Sequence, residues 1–177
     1  MTNKKTAKPV IFISYATEDE IHALWIKKKL LETYNEEAEV FVSKYISAGL
    51  QWREAIEETA RNSSVAIALL SPTALKKMWI IFEAGIFKCK KIPYVPLLFK
   101  NAKIDMLPNC ISDIQATVTD NSDSVEKAFE TVQKAINSEK KMIIEEIKDY
   151  FVKVKRTSGS RILMSNSEVN DIAKRFL

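Results

Sequence analysis

Glu83 is the residue whose type and surroundings most clearly suggest chemistry, because it lies inside the most apolar helical stretch of the chain, residues 71–90. Trp79 comes four residues earlier, so on a helix the two side chains share one face. Apolar residues fill the other directions, which predicts a helix buried on all sides. A lone ionised carboxylate is too costly to bury there. Glu83 is therefore expected to be paired, protonated or held at the edge of a pocket, or simply to meet a lysine or a backbone N–H at the helix edge.

Ser71 and Pro72 predict the start of this helix. A serine hydroxyl can cap the free N–H groups of a first turn, and proline fits the first helical position. The lysines within residues 88–91 suit the negative end of the helix dipole. The helix is thus expected to run from Ser71 to that lysine cluster.

Short apolar runs alternate with helical segments along the chain, which predicts an α/β fold with a parallel sheet and helices on both faces. The third strand is apolar on both sides and is predicted at the centre, whereas Pro96 in the fourth indicates a bulge or an edge. Ligands of such sheets bind at the carboxyl ends of the strands, where Ser14, Ser43 and Ser71 fall. The predicted strands are residues 9–15, 39–43, 65–70, 94–99 and 111–118.

Two further helices have predicted start sites. Residues 17–20 read Thr-x-x-Glu, a capping box that would open a helix after the first strand. His22, the single histidine, is expected to be a partly exposed residue of that helix. Ser122 or Ser124 is predicted to start the helix after the fifth strand. The predicted buried face of the first helix carries Ile21, Leu24, Trp25 and Leu31.

Composition limits the classes of function. The chain has 177 residues, is 46% hydrophobic and 28% charged, and has only 3 Gly and 5 Pro, which is typical of one soluble globular domain. Cys89 and Cys110 are too few for a disulfide framework, which favours a reducing cytosol. No apolar run is long enough for a membrane span or a signal peptide core. The chain has a single histidine, so a zinc site or a catalytic triad that needs more than one is not expected. Together these features predict a cytoplasmic protein without a bound metal and without a membrane partner.

The last 39 residues depart from the strand and helix rhythm. Residues 139–177 carry nine Lys and Arg against six Asp and Glu, which accounts for most of the net charge of +4. The main body is close to neutral, so nucleic acid is not its expected partner. Residues 1–138 are predicted to form the main domain and residues 139–177 a helical extension, with a second helix over 165–177. The extension serves self-association or partner contact, or packs on the domain.

Several short motifs occur in order on these predicted elements. They are Phe12-Ile-Ser-Tyr15, an acidic turn at Glu18-Asp19, Leu69-Leu-Ser-Pro72, and Trp79-x-x-x-Glu83-Ala-Gly85. With this series, residues 9 to about 138 resemble the Toll/interleukin-1 receptor (TIR) domain family, most closely its bacterial members. The resemblance implies a flavodoxin-like fold with five parallel strands and, as in many bacterial and plant members, cleavage of NAD⁺.

The resemblance also implies roles for individual residues. Glu83 would hydrogen-bond the ribose hydroxyls and stabilise the positive charge that develops on the sugar. Trp79 would offer a flat face to a ring of NAD⁺ or of a cyclic product. NAD⁺ is then the substrate, and no cofactor is implied. The pocket around these two residues would be lined by Ser14, Tyr15, Ser43 and Ser71.

The loop after the second strand corresponds to the segment through which related domains pack against a neighbouring subunit. The resemblance therefore implies self-association as the condition for activity, with a separate sensor or activator protein as a further partner. An effector of prokaryotic antiphage defence fits these features. The residues of the loop expected at the contact are Ile46, Gly49 and Trp52.

Two other functions stay open. The domain could be a non-enzymatic interaction module, although an adaptor has no chemical need for Glu83 with Trp79 one turn earlier. It could also release a base from a nucleotide other than NAD⁺. A receiver-like phosphorelay fold is disfavoured because the first strand ends in Ser14 and Tyr15 and lacks the paired acids of a Mg²⁺ site.

Overall fold

Five parallel strands form the centre of the protein, in a computed structural model that describes residues 7–43, 58, 60–109 and 111–157. The strand order is β2-β1-β3-β4-β5, and every neighbouring pair is parallel. The predicted five-stranded parallel sheet is thus confirmed, with β3 at its centre. The strands are β1 Val10–Ser14, β2 Glu39–Val42, β3 Ser63–Leu70, β4 Tyr94–Leu98 and β5 Thr117–Val118.

Helices cover both faces of the sheet, as predicted. On one face α1, α3 and α4 pack on alternate residues of the strands in the larger core cluster. On the other face α2 packs on the remaining strand residues, in two smaller clusters. The helices are α1 Glu20–Tyr34, α2 Met78–Cys89, α3 Ser122–Ala135 and α4 Ile144–Thr157.

The last described helix, α4, belongs to the main core. Its buried face carries Ile147, Tyr150, Phe151 and Val154. The ring of Tyr150 stacks on Trp25 of α1 with centroids 3.7 Å apart, and its hydroxyl lies 2.6 Å from Nδ1 of His22. His22 is buried, so the expectation of a partly exposed residue was wrong; α4 covers it. The predicted helix over 165–177 lies outside the described residues.

The start and the buried face of α1 differ from the prediction. A 3₁₀ turn over Thr17–Asp19 precedes the helix, and neither start carries a side-chain cap, so the capping box was wrong. The predicted stripe is only half-buried, because the helix turns a different face to the sheet and lays Trp25 sideways against α4. The residues that α1 buries are His22, Ala23, Ile26, Leu30 and Tyr34.

Helix α2 begins at Met78, seven residues later than predicted. Ser71 caps a separate 3₁₀ turn, accepting a hydrogen bond of 3.1 Å from the N–H of Ala74. Lys77 is extended and separates that turn from the helix. Nor is the helix buried on all sides, since Met78 is 76% and Phe82 38% exposed. Only one stripe faces the sheet, formed by Ile80, Glu83, Ala84 and Phe87.

Pro96 lies in a strand that is paired on both sides but not along its whole length. Strand β5 pairs only with Leu97 and Leu98 and is shorter than predicted. The carbonyl of Leu98 accepts from Thr119 on the β5 side. Pro96, two residues earlier, faces the same side before β5 begins, so its missing N–H breaks no ladder bond. The proline therefore occupies a local edge, while the register with β3 continues through it.

The start of α3 agrees with the prediction. The helix begins at Ser122, and the side chain of Asn121 accepts a hydrogen bond of 3.1 Å from the N–H of Ser124. Its amphipathic sequence buries Val125, Phe129 and Val132 against the sheet.

Candidate functional site

Glu83 lies at the centre of a polar cluster built from three elements. Its carboxyl is fully buried, and both of its oxygens accept hydrogen bonds. The hydroxyl of Ser14 donates to Oε2, and that of Ser43 donates to Oε1 at 3.1 Å. Ser14 ends β1 and Ser43 follows β2, so residues far apart in sequence meet at the carboxyl edge of the sheet.

The parallel register of β1 and β2 brings the two serines together. Ile13 is opposite Val42, and the N–H of Ser43 donates to the carbonyl of Ile13 at 2.9 Å. This bond continues the ladder by one residue, so Ser43 comes beside Ser14. Glu83 reaches them because it lies on the stripe of α2 that faces the sheet.

Burial dominates the electrostatics of Glu83. Removal from water raises the pKa of its carboxyl to about 7, and the hydrogen bonds from Ser14 and Ser43 limit the rise. Both protonation states are therefore populated near neutral pH. An ionised carboxylate in an apolar surround interacts strongly with positive charge placed beside it, because little solvent screens the pair.

Two tyrosines respond to the charge of Glu83. Tyr15 is nearly buried, and its pKa is raised to about 12 by burial, with smaller contributions from Glu20 and Glu83. Tyr94, at the start of β4, has a buried hydroxyl with no hydrogen-bond partner among the described residues. Burial and then Glu83 raise its pKa as well. Sequence reasoning found Tyr15 but missed Tyr94, because nothing in the sequence connects a residue at a strand's first position to this site.

Trp79 lies one helical turn before Glu83 and is half-buried against the apolar cluster under α2. The ammonium of Lys77 lies 5.3 Å from the centroid of its ring. Part of the indole is therefore exposed near the start of α2. The sequence predicts that this indole contacts a ring of the substrate.

Ser71 belongs to a neighbouring network rather than to the Glu83 cluster. Besides capping Ala74, its hydroxyl donates to Oδ2 of Asp19 at 2.5 Å. Lys100 donates to Oδ1 of the same carboxylate at 2.8 Å. Asp19 is only 1% exposed, so this ion pair ties the turn after β1 to the ends of β3 and β4. Sequence reasoning noted the acidic turn but missed the pairing, since Lys100 is 81 residues away.

The remaining predicted residues, Ile46, Gly49 and Trp52, lie outside the described part of the chain. Within the described residues, no three His, Cys, Asp or Glu side chains are grouped so that they could hold a metal ion. None of the helices described here is both long and apolar enough to cross a membrane.

Comparison with known proteins identifies the family to which the chain belongs. The family model of the TIR domain matches residues 11–144, so the chain belongs to the TIR-domain family. No curated protein sequence matches the chain significantly. Among solved structures, the TIR domains of the activated Roq1 resistosome directly recognizing the pathogen effector XopQ are similar at 15% identity and a TM-score of 0.45. That match covers 82% of this chain and 98% of the other.

Proposed function

We propose that this TIR domain cleaves the bond between nicotinamide and ribose in NAD⁺, with Glu83 as its catalytic carboxylate. The observation that carries the proposal is the buried carboxyl of Glu83, held by Ser14 and Ser43 at the carboxyl edge of the sheet. Ligands of parallel α/β sheets bind at this edge. Membership of the TIR family supports the same reaction class.

One carboxylate is enough for this chemistry. The nicotinamide of NAD⁺ is cationic and leaves as a neutral molecule, so the general acid of a two-carboxylate glycosidase is not needed. As the bond breaks, positive charge develops on the ribose, and the ionised Glu83 stabilises it. Water then adds to the ribose and releases a proton, which gives nicotinamide and ADP-ribose. Attack by the adenine of the same molecule in place of water gives a cyclic isomer.

The hydrogen bonds of Glu83 indicate how substrate would enter the site. Both carboxylate oxygens accept from protein hydroxyls, so a ribose hydroxyl has to replace one of them. The bond from Ser43, at 3.1 Å, is the one we expect to yield. Ser14 then keeps the carboxylate in place, while Tyr15 and Trp79 line the entrance and contact the rings of the substrate.

Self-association is part of the proposal. The outer face of α2 exposes Met78 and Phe82 to solvent, with Gly85 on the same stripe. Exposed apolar side chains on one helix face are typical of contact surfaces. A second copy of the chain is the partner proposed for this stripe. A separate activating protein in an antiphage response is the other proposed partner. The same stripe favours the second candidate function, a TIR interaction module without catalysis.

The test is incubation of concentrated protein with NAD⁺, with and without a crowding agent, while nicotinamide and adenine products are separated by chromatography. Glu83→Gln keeps the shape of the side chain and removes its charge. Glu126→Gln, on the exposed face of α3, is the matched control. We expect the wild type and the control to consume NAD⁺ and Glu83→Gln to lose at least a hundredfold in rate.

Equal consumption of NAD⁺ by Glu83→Gln would remove this residue from the mechanism. Absence of turnover in every protein at every concentration, together with concentration-dependent self-association, would favour the interaction module. The product that accumulates distinguishes hydrolysis from cyclisation.

A further inference from the structure

A cleft lies on the same edge of the sheet, two strands away from the Glu83 cluster. It has a volume of about 380 Å³ and is formed by the ends of β4 and β5 and by α4. Its floor is apolar and includes Phe99 and Phe151, both 2% exposed. Sites for small ligands are typically of this size and are lined mainly by apolar groups with a few polar ones.

Three lysines surround the opening, and their charges are not equally compensated. Lys100 pairs with Asp19 at 2.8 Å, and Lys155 pairs with Asp120 at 2.5 Å. Lys103 lines the same cleft and makes no ion pair within the described residues. Its ammonium is thus the cation that an anionic ligand could bind without displacing a carboxylate, although Asp105 lies two residues away and opposes it.

The loop that carries these lysines has an unusual backbone. Lys100 and Asn101 follow one another with φ angles of 52° and 65°, in the left-handed region that residues other than glycine and asparagine seldom occupy. The side chain of Lys100 also forms the ion pair with the buried Asp19. Strained backbone of this kind is found preferentially at ligand sites, where the surrounding structure fixes it.

The rim also exposes an apolar side chain. Ile104 is 59% exposed at the mouth of the cleft, next to Lys103. A ligand that matches both features has a flat apolar ring and a negatively charged group within a few ångströms of each other. A mononucleotide has this combination.

We propose that this cleft is a second binding site, for a mononucleotide-sized ligand with an aromatic ring and a phosphate. The phosphate binds Lys103, and the ring lies on Ile104 above Phe99 and Phe151. Since α4 forms one wall, an occupied cleft also fastens α4 to the sheet. The site is separate from Glu83, and the proposal holds whether or not Glu83 cleaves NAD⁺.

The test is titration of the full chain with AMP, followed by amide chemical shifts and by calorimetry. Adenosine and inorganic phosphate are titrated separately, so that the contributions of the ring and of the phosphate to binding can be measured one at a time. We expect AMP to bind with saturable shifts confined to residues 98–105, 118–120 and 151–155, and more tightly than either fragment.

Lys103→Glu is expected to weaken the binding of AMP at least tenfold, because a repulsion replaces a charge-assisted hydrogen bond. Lys127→Glu, an equal change on the exposed face of α3, is the control and leaves binding unchanged. Asp105→Asn is expected to tighten the binding of both AMP and phosphate. Ile104→Ala is expected to weaken the binding of AMP but not that of phosphate.

Glu83→Gln distinguishes the two sites. AMP binding that survives in this variant supports a separate cleft, even if the variant and the wild type are both inactive on NAD⁺. Binding that is lost in Glu83→Gln, insensitive to Lys103→Glu, or absent up to millimolar AMP in a folded protein overturns the proposal.

Discussion

The hydroxyl of Ser71 donates a hydrogen bond of 2.5 Å to Oδ2 of Asp19, and both side chains are buried. Lys100 binds the other oxygen of the same carboxylate. One acidic side chain thus joins the turn after β1 to the ends of β3 and β4. Those three segments frame the edge of the sheet on which Glu83 and the cleft between β4, β5 and α4 lie.

Replacing Asp19 should therefore destabilise the fold. Asp19→Ala leaves the Ser71 hydroxyl without an acceptor and Lys100 without its partner, and we expect a loss of about 2–4 kcal/mol in the free energy of unfolding. Urea denaturation measures it, with exposed Asp123→Ala as the control. In a double-mutant cycle with Lys100→Met, the coupling should reach about 1 kcal/mol. Additive effects would mean that the ion pair contributes no stability of its own.

Gly85 offers a change in the opposite direction. It is an exposed residue inside α2, and a Cβ added there meets no atom within 4 Å. Glycine costs a helix about 0.8–1 kcal/mol relative to alanine. Gly85→Ala should raise the stability by about that amount in thermal or urea unfolding. A destabilised variant would show that α2 has a different backbone in solution.

Much of the architecture was predictable because hydrophobic pattern alone determines it. Strand β3 is apolar on both faces, which placed it at the centre, and Glu83 was recognised as an ionisable residue in an apolar helix. The start of α2 was not predicted correctly, because the Ser71-Pro72 signal belongs to a short 3₁₀ turn, and the extended Lys77 separates that turn from the helix. The burial of His22 and the pairing of Asp19 depend on residues 128 and 81 positions away, and local pattern carries no such information.

Ser43→Ala tests whether Ser43 influences the pKa of the Glu83 carboxyl. Loss of this hydrogen bond removes one of the two groups that lower the pKa of Glu83. We expect the rising limb of the pH profile of kcat/KM, which reports the free enzyme, to move to higher pH, because the ionised form is then reached later. Exposed Ser112→Ala is the control. An unchanged kcat/KM profile in Ser43→Ala would mean that the serine does not influence the carboxyl of the free enzyme.

Glu83 should also make the fold less stable as the pH rises. Its pKa is raised to about 7 in the folded protein, from 4.5 in the unfolded chain. Between these values the unfolded chain loses the proton first, so stability falls with rising pH, by about 3 kcal/mol once pH 7 is passed. Glu83→Gln should remove this contribution to the pH dependence of stability. Parallel pH dependence in the variant and the wild type would contradict a buried, protonatable Glu83.

His22 acts with the opposite sign over an overlapping pH range. Burial lowers its pKa to about 3 from 6.5, and Lys100 contributes to the decrease. Below pH 6.5 the unfolded chain takes up the proton and the folded protein does not, so stability falls by about 1.4 kcal/mol per pH unit as the pH decreases. Between pH 4.5 and 6.5 this loss offsets the gain from protonation of Glu83.

The wild type should therefore show a nearly flat stability over pH 4.5–6.5, and the single variants should reveal the two slopes. In His22→Gln, whose amide can still bond the Tyr150 hydroxyl, stability should rise as the pH is lowered, because His22 no longer offsets the contribution of Glu83. In Glu83→Gln the stability should fall as the pH is lowered, because Glu83 no longer offsets the contribution of His22. Urea denaturation at half-unit pH intervals, with the double variant as reference, measures both. The same pH dependence in the wild type and in both single variants would show that neither group is buried as the structure has it.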